Sequence, residues 1–435
     1  MKIQWYIKKY YLMALMAIIV SIVTACGNDD LNDEIFIEQV TLHSIETTTT
    51  VITEARVGTL VRIDGTGFAS AKAIYVNGIE ISINPNYITN NHIILTIPSD
   101  LPYGNDVDEI ERNVLRIVTK TDEYSFPFVI LGPAPVINDV SHSLPQEGLN
   151  FEIYGSNLRD INNIIFPGDV NVDPAQFEAN EDYTALSGLY PSGASTTPGS
   201  IFIDGANGQA TSYKYMNQYN GIFIKQFSAD PPVDPYGTKS YSYGSNITGT
   251  QTTELPVTGS GQKSPEYYRQ IPPTISDISL EQNVGGFRFR SDIGLVSVLN
   301  TSNGTITADM LCSNLALQFD IYMPVEWSSG IIRIGFNGGE KTLRYDYAPW
   351  VISTDEEVPV NMDGWQTVTV PLGALSALTG QTYQDFIDLT KDATGSFEFI
   401  NGSYLDINGE YHKPSAIEGF QLSFGNFRIV PYTKN

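Results

Sequence analysis

The sequence predicts an all-β chain made of several consecutive sandwiches, and three observations carry that expectation. After residue 34, short runs with alternating apolar residues recur, such as Leu60-Val61-Arg62-Ile63, Ile331-Ile332-Arg333-Ile334-Gly335-Phe336 and Thr367-Val368-Thr369-Val370. Gly, Pro and Asn bound these runs, as strands joined by tight turns require. No long stretch repeats its apolar residues at the helical period, and the two exceptions, 373–378 and 383–389, are short. A chain of 435 residues has room for roughly two to four such domains.

The N-terminus reads first as a leader. Lys2, Lys8 and Lys9 form a positive segment, and Tyr11 to Val23 an apolar run of signal-peptide length. That run is too short to span a bilayer comfortably as an anchor. It closes on Val23-Thr24-Ala25-Cys26, which resembles a bacterial lipobox with Val23 where leucine is commoner. The resemblance implies a lipoprotein signal peptide over 1–25 and an acylated surface tether over 26–33, with Cys26 lipidated. Several acyl chains, at ~0.8 kcal/mol per buried methylene, would hold such a protein to a membrane durably. Gly27-Asn28-Asp29-Asp30 resembles the acidic signal that sends lipoproteins to the cell surface in Bacteroides-type bacteria.

An internal repeat organises the chain beyond the tether. Ile63-Asp64-Gly65-Thr66-Gly67-Phe68 through Asn77-Gly78 aligns without gaps to Ile153-Tyr154-Gly155-Ser156-Asn157-Leu158 through Pro167-Gly168. Glycines match at 65/155 and 78/168, and apolar residues at 63/153, 68/158, 74/164 and 76/166. Two strands joined by a glycine-bearing turn, facing one core, give that pattern. It resembles the immunoglobulin-like IPT/TIG module and implies one such sandwich over 34–132 and another over 133–224. Proline-dense strings, Gly132-Pro133-Ala134-Pro135 and Asp230 to Pro235, mark the joints and favour semi-rigid geometry. Pro135 to Val140 recurs as Pro273 to Ile278 without the glycine signature, so it is read as a shared strand entry. Residues 225–435 are then one larger β-sandwich; whether 236–264 is a loop on it or a linker stays open.

Composition narrows the chemistry. The formal charge is −25, from 24 Lys+Arg against 49 Asp+Glu, and no basic cluster offers a footprint for nucleic acid. A polyanionic glycan is repelled too, within the ~8 Å that screening allows, so a neutral ligand fits best. With Cys26 lipidated, Cys312 has no disulfide partner and reads as a small buried hydrophobe. His43, His92, His142 and His412 are scattered without metal-ligand spacing. No nucleophile elbow or phosphate-cradling loop exists. Neither a cofactor nor a catalytic residue is therefore expected. A glycosidase needs only two carboxylates roughly 5–10 Å apart, but the Glu-x-Asp-x-x-Glu string of β-sandwich β-glucanases is absent. Non-catalytic binding is the main reading; a surface hydrolase and a structural adhesin are the alternatives.

Apart from Trp5 in the leader, the tryptophans are Trp327, Trp350 and Trp365, all in one late window with Tyr345 and Tyr347. Gly364 to Leu372 and Gly419 to Phe424 resemble strands of carbohydrate-binding-module folds. Lipobox, acidic patch, tandem IPT-like modules and this aromatic sandwich together resemble the multidomain surface glycan-binding lipoproteins of Bacteroides-type polysaccharide-utilisation systems. That family implies capture of a neutral polysaccharide, a β-glucan or xyloglucan-type hemicellulose, at the outer membrane facing outward. It implies as partners a TonB-dependent transporter and its SusD-like lid protein. Trp327 and Trp350, both at strand ends, are expected to be exposed platforms that stack on sugar rings. Tyr345 and Tyr347 are expected to join them, the alternative being that both pack inside with Leu343. Trp365 is read as structural, and Arg333, Asn337, Lys341, Arg344 and Asp346 are candidates for a polar rim. The two modules are read as a spacer.

Overall fold

The computed structural model describes residues 34–43, 50–145, 148, 150–191, 197–213, 216, 222–225, 241–243, 251–252, 268–275, 282–290, 306–337, 340–353, 356–362, 364–391, 393–401, 404–405, 411–412 and 420–434. The leader, Cys26 and the tether lie outside the described residues, as does most of 236–264. The chain divides into two compact units, Met1–Pro133 and Ala134–Asn435.

In the first unit, two four-stranded antiparallel sheets face each other as an immunoglobulin-like sandwich. One runs Val51–Ile52, Phe36–Leu42, Leu60–Thr66, His92–Thr96; the other Ile79–Glu80, Ala73–Val76, Val114–Val118, Glu123–Pro127. The second unit begins with the same plan: Val136–Val140, Asn150–Ser156, Ala185–Leu189, Phe177–Ala179 against Val170–Val172, Ile161–Phe166, Phe202–Gly205, Gly208–Thr211. The repeat's glycines have a steric cause. A Cβ at Gly65 would fall on the Phe36 carbonyl, and one at Gly155 on the Val136 carbonyl. Only glycine lets these strand pairs approach. Phe68 and Leu158, three residues on, are fully buried over the same spot. Gly78 and Gly168 turn with φ of 76° and 85°, where a side chain is strained.

The rest of the second unit is the larger sandwich. Its first sheet runs Gln251–Thr252, Tyr268–Ile275, Phe420–Pro431, Leu315–Tyr322, Gln366–Pro371. Ile222–Lys225 also pairs with Phe420–Pro431. That strand straddles the boundary expected at 224/225, so the sandwich takes up residues from Ile222 onward. The second sheet has five strands: Tyr241–Tyr243, Gln282–Arg290, Thr394–Asn401, Ile331–Gly335, Arg344–Tyr347. Phe319, Phe397, Phe424 and Phe427 interlock between the sheets at centroid spacings of 4.8 to 6.2 Å. Each such buried ring contributes on the order of 1.5–3 kcal/mol by area.

Among the described residues one α-helix forms, Tyr383–Thr390, which takes in the second of the two stretches expected from sequence, 383–389, and extends one residue beyond it. Thr382 and Asp385 cap it reciprocally: the Thr382 N–H donates to Asp385 Oδ2 at 2.8 Å and the Asp385 N–H to Thr382 Oγ1 at 3.2 Å. Cys312 is buried, donates its Sγ–H to the Thr382 carbonyl at 3.2 Å, and is pushed up to about 11 by burial and then by Asp385. It behaves as the inert small hydrophobe the sequence suggested.

The second repeat and the larger sandwich are welded together. Ala316 and Val430 of the sandwich belong to the same apolar cluster as Ile153, Ile164 and Phe166 of the repeat. Tyr213 stacks on Tyr432 at 3.8 Å with their planes 8° apart. Beside them the outer face of the first sheet buries Gln318, Asp320, Thr367 and Arg428. Alternation in Leu317-Gln318-Phe319-Asp320-Ile321 marks a polar face, which ordinarily meets water; here the second repeat covers it.

Candidate functional site

The structure corrects the expected exposure of the tryptophans. Trp327 is 0% exposed and Trp350 2%, so neither offers a ring face to a ligand. The two are nevertheless brought together. Trp327 Nε1–H donates to the carbonyls of Ser329 (3.0 Å) and Gly330 (3.1 Å), and Trp350 Nε1–H donates to the same Gly330 carbonyl at 2.9 Å. Gly330 holds φ of 78°, and a Cβ there would sit 2.6 Å from the Phe399 ring. Trp327 also pairs through its backbone with Val360 in both directions, at 2.9 and 3.0 Å. The indoles thus anchor the turn at one end of the five-stranded sheet to the segment around Val360. Strand-end position misled here, because a strand end can be covered by a returning loop that sequence spacing does not reveal.

Tyr345 and Tyr347 are half-buried and pack against the sandwich core, with Tyr347 edge-on to Trp327 at 5.8 Å. Burial, and after it the Asp139 carboxylate of the second repeat, raises both phenols above their usual range. They pair in register with Ile334 and Ile332, which places them on the core side of their strand. Trp365 is fully buried, tilted against Tyr322 at 6.1 Å.

The opposite side of the same strands carries the polar candidates. Arg333 Nε–H and Nη2–H donate to Asp346 Oδ1 and Oδ2 at 2.8 and 2.9 Å, a parallel two-point pair. Arg344 Nη2 lies 3.2 Å from Asp346 Oδ2. All three side chains keep between 22% and 25% exposure, so they are held yet reachable. Arg333 is paired in register with Glu398, and Gly335 with Arg344 and Ser396. The rows continue across the sheet: Glu398 pairs with Gly286 and Ser396 with Arg288, which pair in turn with Tyr243 and Tyr241. Glycines at 335 and 286 leave two of these row positions without a side chain. The polar side chains described on this face include those of Arg333, Arg344 and Asp346, with planar charged groups at the edge strand Arg344–Tyr347.

Not all the rim candidates meet. Asn337 Nδ2 donates to Glu340 at 3.0 Å within its own turn, and Lys341 is exposed in the adjoining short 3-10 turn. Glu398 escaped the sequence reading, although its place between Phe397 and Phe399 marks a polar face alternating with a core face. Chemically, the Arg333–Asp346–Arg344 array supplies held donors and acceptors side by side. Charge-assisted hydrogen bonds to such groups are stronger than neutral ones, and prior fixation lowers the entropy lost on binding.

Residues 287–431 match the family model described as the surface glycan-binding protein B xyloglucan binding domain. An IPT/TIG domain-containing protein of Bacteroides ovatus is 22% identical over 236 residues. That match covers 52% of this chain and 45% of the relative, so the chain spans about half the length of the curated relative it matches. The crystal structure of surface glycan-binding protein PbSGBP-B from Prevotella bryantii superposes with a TM-score of 0.62 at 17% identity, covering 92% of this chain and 99% of that one. SGBP-B from a complex xyloglucan utilization locus in Bacteroides uniformis gives a TM-score of 0.44 at 19% identity, with 92% and 99% covered.

Proposed function

We propose that this chain is a non-catalytic surface glycan-binding protein of the B type, and that the polar face of its five-stranded sheet receives a neutral β-glucan or xyloglucan-type chain. The observation that carries the reading is the family match over 287–431, which takes in Ile331–Gly335, Arg344–Tyr347 and Thr394–Asn401, the strands that build the polar array. A sugar's hydroxyls both donate and accept, which suits a surface of mixed guanidinium and carboxylate groups. Trp327 and Trp350 serve this site from beneath by fixing the turn and loop at its end, and Tyr345 and Tyr347 by holding the edge strand to the core.

Two variants test it. Arg333→Ala and Asp346→Ala each remove a charged hydrogen-bonding group, a loss of about 1.5–3 kcal/mol where a sugar hydroxyl depends on it. That corresponds to roughly tenfold or more in affinity. Migration of the folded chain in native gels containing xyloglucan or mixed-linkage β-glucan reads the effect. Retardation is expected for the parent and should largely disappear in both variants at unchanged melting temperature. Undiminished retardation would move the site off this face, and a parent that no neutral glycan retards would sink the glycan reading.

Surface tethering belongs to the same proposal. Lipidation of Cys26 would place the binder beside an outer-membrane TonB-dependent transporter and its SusD-like lid protein, with many copies adding avidity to weak individual contacts. Labelling cells with a palmitate analogue should mark the chain and leave Cys26→Ala unlabelled and released from the membrane fraction. A labelled Cys26→Ala chain would refute the anchor.

A further inference from the structure

We propose that the second repeat carries its own neutral saccharide site, in the cleft between its strands Asn150–Ser156, Phe177–Ala179 and Ala185–Leu189 and Gln366 of the larger sandwich. The cleft has a volume of about 550 Å³, within the usual range for small-ligand sites. Its lining includes none of Arg333, Arg344 and Asp346, so the inference deepens the glycan reading, on which its ligand class rests, while using different residues.

His142 supplies the pointer. Its ring lines the cleft and is 6% exposed, yet Nε2 has no hydrogen-bond partner among the described residues. A buried polar atom without a partner is costly. The network around it accommodates the Nδ1–H tautomer. Ser141 Oγ–H donates to the Glu152 carbonyl and the oxygen accepts the Glu152 N–H at 3.0 Å. Its remaining lone pair can take a proton from His142 Nδ1, and in that tautomer, the one the proposal assigns, Nε2 is a bare acceptor. Burial also holds His142 well below its ordinary range, at about 4, which keeps it neutral.

The other lining groups define the ligand. Glu152 and Glu178 add carboxylate acceptors, one oxygen of Glu152 being engaged by the Tyr154 hydroxyl. No lysine or arginine lines the cleft to offset Glu152 and Glu178, which disfavours an anion there. Half-buried Phe177 and 56%-exposed Leu189 provide an apolar patch beside these acceptors. A ligand that donates several O–H bonds at its rim and offers C–H groups on one face satisfies both demands, and a pyranose does so without charge.

The test uses the full chain and cellotetraose, with long-range proton–nitrogen spectra of the four imidazoles. His142→Phe assigns the His142 signals, which should show the Nδ1–H tautomer. Adding cellotetraose should shift Nε2 of His142, and should do so equally in the Arg333→Ala/Asp346→Ala chain. Leu189→Ser and Glu178→Ala, both at exposed positions that folding does not need, should each weaken that response at least fivefold. An Nε2 signal unmoved by saturating sugar overturns the cleft site, whatever the gels show for the sheet face. A shift that vanishes together with Arg333 and Asp346 overturns it as well, leaving the sheet site standing. Titration with n-butylammonium that moves Nε2 in a salt-sensitive way, where cellotetraose does not, would reassign the cleft to a cation and overturn the saccharide.

Discussion

Arg428→Ala is expected to destabilise the second unit by about 3–5 kcal/mol, the usual consequence of leaving one member of a buried ion pair alone. Arg428 and Asp320 are both 0% exposed. Their direct contacts are long, 3.4 Å, and each group also makes shorter bonds, although Arg428 Nε has no partner among the described residues. Thr367 Oγ1–H and Asn426 Nδ2–H donate to Asp320 at 2.9 and 2.7 Å, while Arg428 donates to Ser143 Oγ and the Asn426 carbonyl, both at 2.8 Å. Ser143 comes from the second repeat, so truncating Arg428 strands a buried carboxylate and also removes a bond across the joint. The backbone bond from Thr367 N–H to the Ser141 carbonyl, 2.9 Å, sits beside it. Because Gln366 and His142 are the chain neighbours of those two residues, the variant should also disturb the cleft. Denaturant unfolding measures the loss. Arg428→Met combined with Asp320→Leu should be less destabilised than either single truncation, since it removes both charges together. A single variant within 1 kcal/mol of the parent would show that water reaches the pair and that the joint rests on Tyr213, Tyr432 and the shared apolar cluster instead.

This joint shows where sequence reading stopped. Local signals survived translation into structure: the glycines at 65 and 155 mark close strand approaches, and 383–389 lies within a capped helix. The alternation in 315–322 was equally legible, but it reports only that one sheet face is polar. Whether that face meets water or a neighbouring domain depends on packing between segments far apart in the chain, such as Ser143 and Gln318, 175 residues apart. The same limit applies to the aromatic window. Clustering of Trp327, Trp350, Tyr345 and Tyr347 along the chain correctly foreshadowed their clustering in space. It carried no information on whether the cluster looks outward, because both a platform and a plug need large rings at strand ends. The polar array at Arg333, Arg344 and Asp346 was legible as residue types on one strand face, and its geometry came from the register of the edge strand.

Trp327→Ala is expected to remove about 3–5 kcal/mol of stability, as deletion of a fully buried tryptophan does. The loss has three parts on this structure. A large cavity opens beside Tyr347 and Phe399, whose rings lie 5.8 and 6.0 Å from the indole. The Gly330 carbonyl loses one of its two indole donors, and the Ser329 carbonyl loses the indole N–H that reaches it. The turn that sets the end of Ile331–Gly335 then slackens, and with it the register of the polar rows. Glycan binding should therefore fall with unfolding, and should return on cooling or on adding a stabilising osmolyte, which a lost stacking platform would not allow. Fluorescence separates the two roles without mutation. In the chain beginning at residue 27, the tryptophans Trp327, Trp350 and Trp365 are all buried, so emission should be blue-shifted and resistant to iodide. Saturating xyloglucan should leave it nearly unchanged. A glycan-induced shift, or protection from quenching, would mean that at least one indole swings out to meet the sugar, and Trp327 and Trp350 would then return to the binding surface.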